Sequence, residues 1–338
     1  MNRKPLKYIA LLALAIGGLT SLWLSRHSTP TLRACEGVVW TTEYHITYRS
    51  AADLTDSVQA VLQRVDSSAS VYNKASLISA INRNESRPAD GCLTHLLTLA
   101  KRVHAESGGA YDPTVMPLVN AWGFGYKNGV LPTPHQVDSI LAFVGLDKVS
   151  MADGQIQKTD PRVQLDFSSI AKGFACDEIG RMLQRNYVTD YIIEIGGEVV
   201  AHGLNGQQKV WRVSVDMPTV QNSATVHDAA MILELTDGAV ATSGSYRKWK
   251  ETSGNRISHI VNPHTGRSET SDLLSATIIA ANCATADAWA TACMVLGTRA
   301  TRQMLGTRSD LGVMTISQDS LGRLVVWSNE RFANAVIP

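Results

Sequence analysis

The chain has 338 residues, with 31 lysines and arginines against 30 aspartates and glutamates and a net charge of +1. With no basic block beyond the extreme N-terminus, so even a balance argues against nucleic acid as a partner. The length behind the N-terminal segment suffices for one large domain, or two closely packed ones, around a buried cleft.

Arg3, Lys4 and Lys7 precede an apolar run from Tyr8 to Leu24, with Arg26 and His27 behind it. This is the pattern of an export signal. The run is near the lower length limit for a spanning helix and no clean small-x-small site follows, so an uncleaved anchor is preferred, leaving the rest on the extracytoplasmic (periplasmic) face of the inner membrane. Cys35 after Leu32-Arg33-Ala34 faintly suggests a lipoprotein box, but Arg33 and the polar gap after Leu24 disfavour lipidation. Residues 1–36 are assigned to signal or anchor plus a polar tether, and 37–338 to the globular domain.

A strand-like stretch from Val38 to Arg49 opens the domain. Leu54, Val58, Val61, Leu62 and Val65 recur at helical spacing, as do Leu93, Leu96, Leu97, Ala100 and Val103, the second run stopping at Gly108-Gly109. Thr133-Pro134 reads as a cap and first helical residue for a helix carrying Val137, Ile140, Leu141 and Val144. After a helix beyond Asp166 the character turns to strands: YIIEIGGEVVAHG, KVWRVSVDM, MILELTDGAVATSG and SATIIAA. A helix from about Thr285 to Leu296 and a hairpin, VMTISQDSLGRLVVWS, close the chain. Helices cluster early and strands late without βαβ alternation, so the fold class is α+β, with mixed or antiparallel sheets packed with helices. Cys35, Cys92, Cys176, Cys283 and Cys293 show no C-x-x-C and no histidine pairing, which makes a zinc site unexpected and a role as small buried hydrophobes the natural one.

The most informative stretch is Gln164 to Gly180, QLDFSSIAKGFACDEIG, which places Asp166, Ser168, Ser169, Lys172 and Gly173 at a strand-to-helix turn. A helix start offers free N–H groups and a positive dipole end to an anion, and Lys172 adds full charge; the bland alternative is a helix with a hydroxyl cap and a surface lysine. Asp287 and Thr291 stand four residues apart on a helix of alanines, hence on one face. A carboxylate and a hydroxyl in such apolar surroundings need a partner: a hard cation such as magnesium, or a lysine or another segment's backbone. His259, at a strand end beside the Asn262–Gly266 turn, is a candidate general base, with His264 as competitor. Thr242-Ser243-Gly244 can present hydroxyls and N–H groups to a ligand, Gly196-Gly197 reads as a bulge or a close approach within a strand, and Gly108–Gly125 as an ordered loop over a pocket.

Together the pieces WTTEYHITY, SVYNKASLISAIN, GGAYDPTVMPLVNAWGFG, LDFSSIAKGFACD, EIGGEV, ATSGSYRKW, HIVNPHTG and ADAWAT, in this order, resemble the ApbE family, the FAD:protein FMN transferases. The resemblance covers nearly all the chain beyond the tether. It implies an exported enzyme that binds FAD with magnesium and transfers the FMN half to a threonine hydroxyl of an acceptor protein, such as a redox-complex subunit, releasing AMP. Some members instead hydrolyse FAD to FMN and AMP, and a chain that has kept the pocket but lost the chemistry would be a tethered FAD-binding protein. Carried over by position, the resemblance implies that Trp40, Tyr72 and Ala110-Tyr111-Asp112 line the FAD pocket, that Asp166 and Lys172 contact the dinucleotide, and that Val261 touches it through its backbone. It implies Asp287, Thr291 and a main-chain carbonyl near Ser169 as metal ligands, and His259 as the group that activates the acceptor hydroxyl, with Lys172 stabilising charge. Several positions depart from the family pattern: Trp40-Thr41-Thr42 replaces Met-Gly-Thr, Leu77 and Ser245 stand where acids are usual, and Asn262 replaces a common aspartate.

Overall fold

Alternation of side chains explains how the strands are used. The computed structural model describes residues 29–125, 131–216, 229–245, 249–252, 255–268 and 271–337; the expected anchor segment and residues 246–248 lie outside these. In chain order the strands are β1 (Thr31–Val39), β2 (Thr42–Ser50), β3 (Val149–Ala152), β4 (Gln155–Lys158), β5 (Tyr191–Ile195), β6 (Glu198–His202) and β7 (Trp211–Asp216). There follow β8 (Ala229–Leu235), β9 (Asp237–Gly244), β10 (Trp249–Thr252), β11 (Asn255–Ser258), β12 (Leu273–Ala280), β13 (Gly312–Gln318) and β14 (Leu324–Ser328). The helices are α1 (Thr55–Ala69), α2 (Leu77–Asn82), α3 (Gly91–Glu106), α4 (Met116–Ala121), α5 (Pro134–Leu141), α6 (Ser168–Arg185), α7 (Cys283–Leu305) and α8 (Glu330–Ala333).

One eight-stranded sheet, in the order β1-β2-β5-β6-β9-β12-β13-β14, organises the molecule, and every neighbouring pair in it is antiparallel. The other pairs, β3 with β4, β7 with β8 and β10 with β11, are two-stranded. In β9 and β12 successive residues face opposite ways. Ala239, Ala241, Ile278 and Ala280 join the large core beneath the helices, whereas Val240 and Ile279 join a second core with Trp211, Val213, Leu233 and Phe332 under β7, β8 and α8. Small residues on the helix side let α6 and α7 lie close to the sheet; larger ones fill the other side.

The α1 and α3 periodicities hold, with Val58, Val61, Val65, Leu93, Leu96 and Ala100 all buried, and Thr133 forms a capping box with Gln136 at the start of α5. Three expectations need correction. Residues 31–36 are not tether but the outer half of β1, an edge strand in which Cys35 is buried opposite Ile46. Its polar residues mark one solvated face of a strand, which from composition alone looks like a loop. The expected single strand from Val38 to Arg49 is a hairpin whose turn residues Trp40 and Thr41 have φ of 49° and 65°. Both φ values lie where glycine is usual and a β-branched residue is strained. Gly196 and Gly197 do not bulge a strand either; they are the turn between β5 and β6, and a Cβ on Gly196 would fall 2.7 Å from the Thr42 hydroxyl.

Candidate active site

The chain entering α6 is extended but joins no ladder. The Asn82 side-chain amide takes the place of a neighbouring strand, accepting from Leu165 N–H at 2.8 Å and donating to its carbonyl at 2.8 Å. The next N–H, of Asp166, donates to Pro113 O at 2.8 Å and so ties this segment to the Ala110–Asp112 loop. The α6 N-terminus carries no hydroxyl cap. Its Ser168 N–H donates instead to Asp166 Oδ1 at 2.8 Å, so a carboxylate already occupies part of the expected anion position. Burial pushes the Asp166 carboxyl above its ordinary value, against these hydrogen bonds from Ser168. Tyr72, exposed on its loop, feels the Asp166 charge.

Farther along α6, Lys172 and Gly173 face α7. Lys172 Nζ forms an ion pair with Glu198, the first residue of β6, whose carboxylate is buried. Burial opposes the lysine charge, but Glu198 and Asp287 overcome it and hold the ammonium pKa well above its usual value. Asp287 is buried, and its Oδ2 accepts from Gly173 N–H at 3.3 Å. In a regular helix that N–H belongs to the Ser169 carbonyl, so Asp287 lies beside the carbonyl assigned above to the metal. Burial, with the Glu198 charge added, drives the Asp287 pKa well up, while Lys172 pulls it back. A carboxylate so placed takes up a proton or a cation.

Thr291, one turn farther along α7, has its hydroxyl 3.4 Å from Ser243 Oγ. Ser243 shares the helix-side parity of Ala239 and Ala241, which is how β9 delivers a hydroxyl to α7. Asp287, Thr291 and Ser243 are hard oxygen donors suited to magnesium, and carbonyls and substrate phosphates commonly complete such a shell. Among the described residues no group of three or more His, Cys, Asp and Glu stands close enough to hold a metal, so any site here depends on hydroxyl and carbonyl oxygens. Tyr111 is buried with its hydroxyl 3.1 Å from Ser169 Oγ, and burial raises its pKa far above normal.

The other expected site residues have local partners of their own. The Asp112 carboxylate is taken up within its own loop, accepting from Thr114 N–H at 2.8 Å, Thr114 Oγ1 at 2.6 Å and Leu146 N–H at 3.1 Å. The Trp40 indole donates to Asp66 Oδ1 at 2.9 Å and packs on the main core. Val261 is buried with Leu118, Val137 and Val144 in a third, small core. His259 is half-buried, with its ring edge-on to Phe124 at 6.5 Å between centroids. His264 packs over Gly109, where a Cβ would come 2.7 Å from its ring. Asn262 accepts from His264 N–H at 2.9 Å, so an amide here forms the turn an aspartate could form. Leu77 opens α2 and packs on the main core.

Two functional candidates escaped sequence reasoning. Glu198 was visible only as a letter in EIGGEV, since nothing local says which face of β6 it takes. Asp177 is the second: its two oxygens accept from Cys283 N–H at 2.8 Å and Ala284 N–H at 2.9 Å, bolting α6 to the start of α7. All five cysteines are buried and unpaired, and Cys176 touches Cys283 within this crossing.

A lysine, two buried carboxylates and two hydroxyls thus gather where α6 crosses α7 beneath β6 and β9. The chain belongs to the ApbE family, whose model matches residues 40–315. It is 31% identical over 324 residues to the FAD:protein FMN transferase of Salmonella typhimurium, covering 92% of this chain and 91% of that protein. Over 267 residues it is 35% identical to the Vibrio cholerae protein of the same name, covering 76% and 79%. The solved structure of the flavin transferase ApbE from Vibrio cholerae superposes with a TM-score of 0.80 at 29% identity, covering 90% of this chain and 99% of that one. The apo form of the Pseudomonas stutzeri flavinyl transferase ApbE gives the same TM-score at 28% identity, covering 90% and 97%.

Proposed function

We propose that this chain is an FAD:protein FMN transferase that moves the FMN moiety of FAD to a threonine hydroxyl of an extracytoplasmic acceptor protein and releases AMP. The observation that carries the reading is the convergence of Lys172, Glu198 and Asp287 from three elements onto one buried spot, in a chain of this family. In the reaction the acceptor oxygen bonds to the FMN-side phosphorus as the diphosphate bridge breaks. The bridging oxygen leaves with AMP. His259 takes the hydroxyl proton, and Lys172 faces the negative charge gathering on the bridge. Asp287, Thr291 and the Ser169 carbonyl would hold a magnesium ion, which when bound supplies charge neutralisation at the diphosphate. By the family resemblance Tyr72, the Ala110-Tyr111-Asp112 loop, Trp40 and the Val261 backbone would line the FAD pocket, and the loop is tied to Asp166 through Pro113 O. The basic and then apolar N-terminal sequence supports a membrane-anchored, outward-facing location.

The test is incubation of the protein with FAD, magnesium and an acceptor domain, followed by intact-mass measurement of the acceptor. A covalent FMN adduct with AMP in equal amount is expected, and Asp287→Ala should abolish it. Free FMN with AMP would make the protein a pyrophosphatase, and absence of AMP would make it a binding protein; either result displaces the reading.

A further inference from the structure

Two buried carboxylates face one ammonium at the centre of this site. Lys172 pairs with Glu198, and Asp287 accepts from the N–H of the next residue, Gly173, at 3.3 Å, so with both acids ionised the trio carries one negative charge in excess. Glu198 is rigidly placed. It pairs with Ile195 across the two-glycine turn, and its carbonyl accepts from Cys176 Sγ at 3.4 Å. Lys172, by contrast, sits on a flexible four-carbon stem with a side chain 30% exposed, and can follow whichever carboxylate attracts it.

We propose that Glu198 is a positioning residue: by engaging Lys172 it keeps the ammonium off Asp287, and so keeps Asp287 open to a divalent cation. The two carboxylates compete for one ammonium. A partly buried ammonium is drawn to the carboxylate beside it, and with Glu198 replaced by an amide the carboxylate left to Lys172 is Asp287. That pairing is electrically complete and removes the charge that draws a cation. With Glu198 ionised, the lysine is satisfied elsewhere and the excess charge remains at Asp287. The inference rests on the cation reading above, and goes beyond it by naming what keeps the seat free.

The experiment measures Mn2+ binding to the full chain without FAD, by the electron paramagnetic resonance signal of the free ion. Glu198→Gln should raise the dissociation constant by roughly tenfold or more, as expected for coupled charges in contact. Adding Lys172→Met to Glu198→Gln should return binding to near the wild-type value, because the competitor is gone; Glu198→Asp should recover part of it. A merely structural role for Glu198 would leave the double variant no better than the single one. Wild-type affinity in Glu198→Gln, or no recovery in the double variant, overturns the inference while leaving the cation reading intact. A wild-type chain that binds no Mn2+ overturns both. Should Glu198→Gln not fold, Lys172→Met alone decides: tighter Mn2+ binding supports the competition and weaker binding refutes it.

Discussion

In the proposed transfer a proton leaves the acceptor hydroxyl as its oxygen attacks phosphorus, and His259, just past the end of β11, is the base proposed to take it. Its ring stands edge-on to Phe124 at 6.5 Å between centroids. As the proposed base it would act on the acceptor proton and not on FAD binding. His259→Ala is therefore expected to lower the single-turnover transfer rate by roughly 10²–10⁴-fold while FAD affinity, read by flavin fluorescence, stays unchanged; an unaltered rate would remove the base assignment. Asp287 and Thr291 were legible as a pair because helical spacing puts i and i+4 on one face. Glu198 was not, since its meaning depends on Lys172 in another segment. The resemblance alone put Asp112 in the FAD pocket, and nothing local said that its oxygens hold Thr114 and Leu146.

At the scale of elements, the site depends on how closely α6 and α7 cross. A Cβ at Gly173 would lie 2.5 Å from Cys283 O and 2.9 Å from Ala284 N, and both are backbone atoms that cannot swing aside. Gly173→Ala should force the helices apart, costing about 1–3 kcal/mol, and should loosen the Gly173 N–H contact that seats Asp287. A lowered urea midpoint together with weaker Mn2+ binding is the expected result; an unchanged midpoint would mean the crossing yields easily. The long helices were legible from periodicity, but the short α2, α4 and α8 were not, and the expected end of α7 at Leu296 is a kink at Gly297 (φ 74°) beyond which the helix resumes to Leu305. The order of strands in the sheet was not legible: β6 pairs with β9 across β7 and β8, and β2 with β5 across six helices and the β3–β4 hairpin, and alternation gives a strand's faces but not its neighbours. Departures from regular pairing were hidden too, such as Asn82 standing in for a strand beside Leu165.

For the molecule as a whole, the α6–α7 crossing links stability to pH through Asp177, which joins two segments about a hundred residues apart in sequence. Burial pushes its carboxyl up to about 6, in spite of hydrogen bonds from Ala284 and Cys283 N–H groups at a helix start. An unfolded aspartate titrates near 4. Between those two values the folded chain therefore binds more protons at this site than the unfolded one, so its contribution to stability falls as pH rises from about 4 to about 6 and is level above that. A rise of this size corresponds to at most about 3 kcal/mol. Asp177→Asn cannot ionise and should flatten this part of the profile, measured as unfolding free energy in urea at several pH values from about 4 to about 7. Asp166 and Asp287, also raised by burial, contribute slopes of the same sign that the variant retains. The difference between the two profiles thus isolates Asp177, and parallel profiles would show that its carboxylate stays ionised throughout, with the two N–H donors outweighing burial.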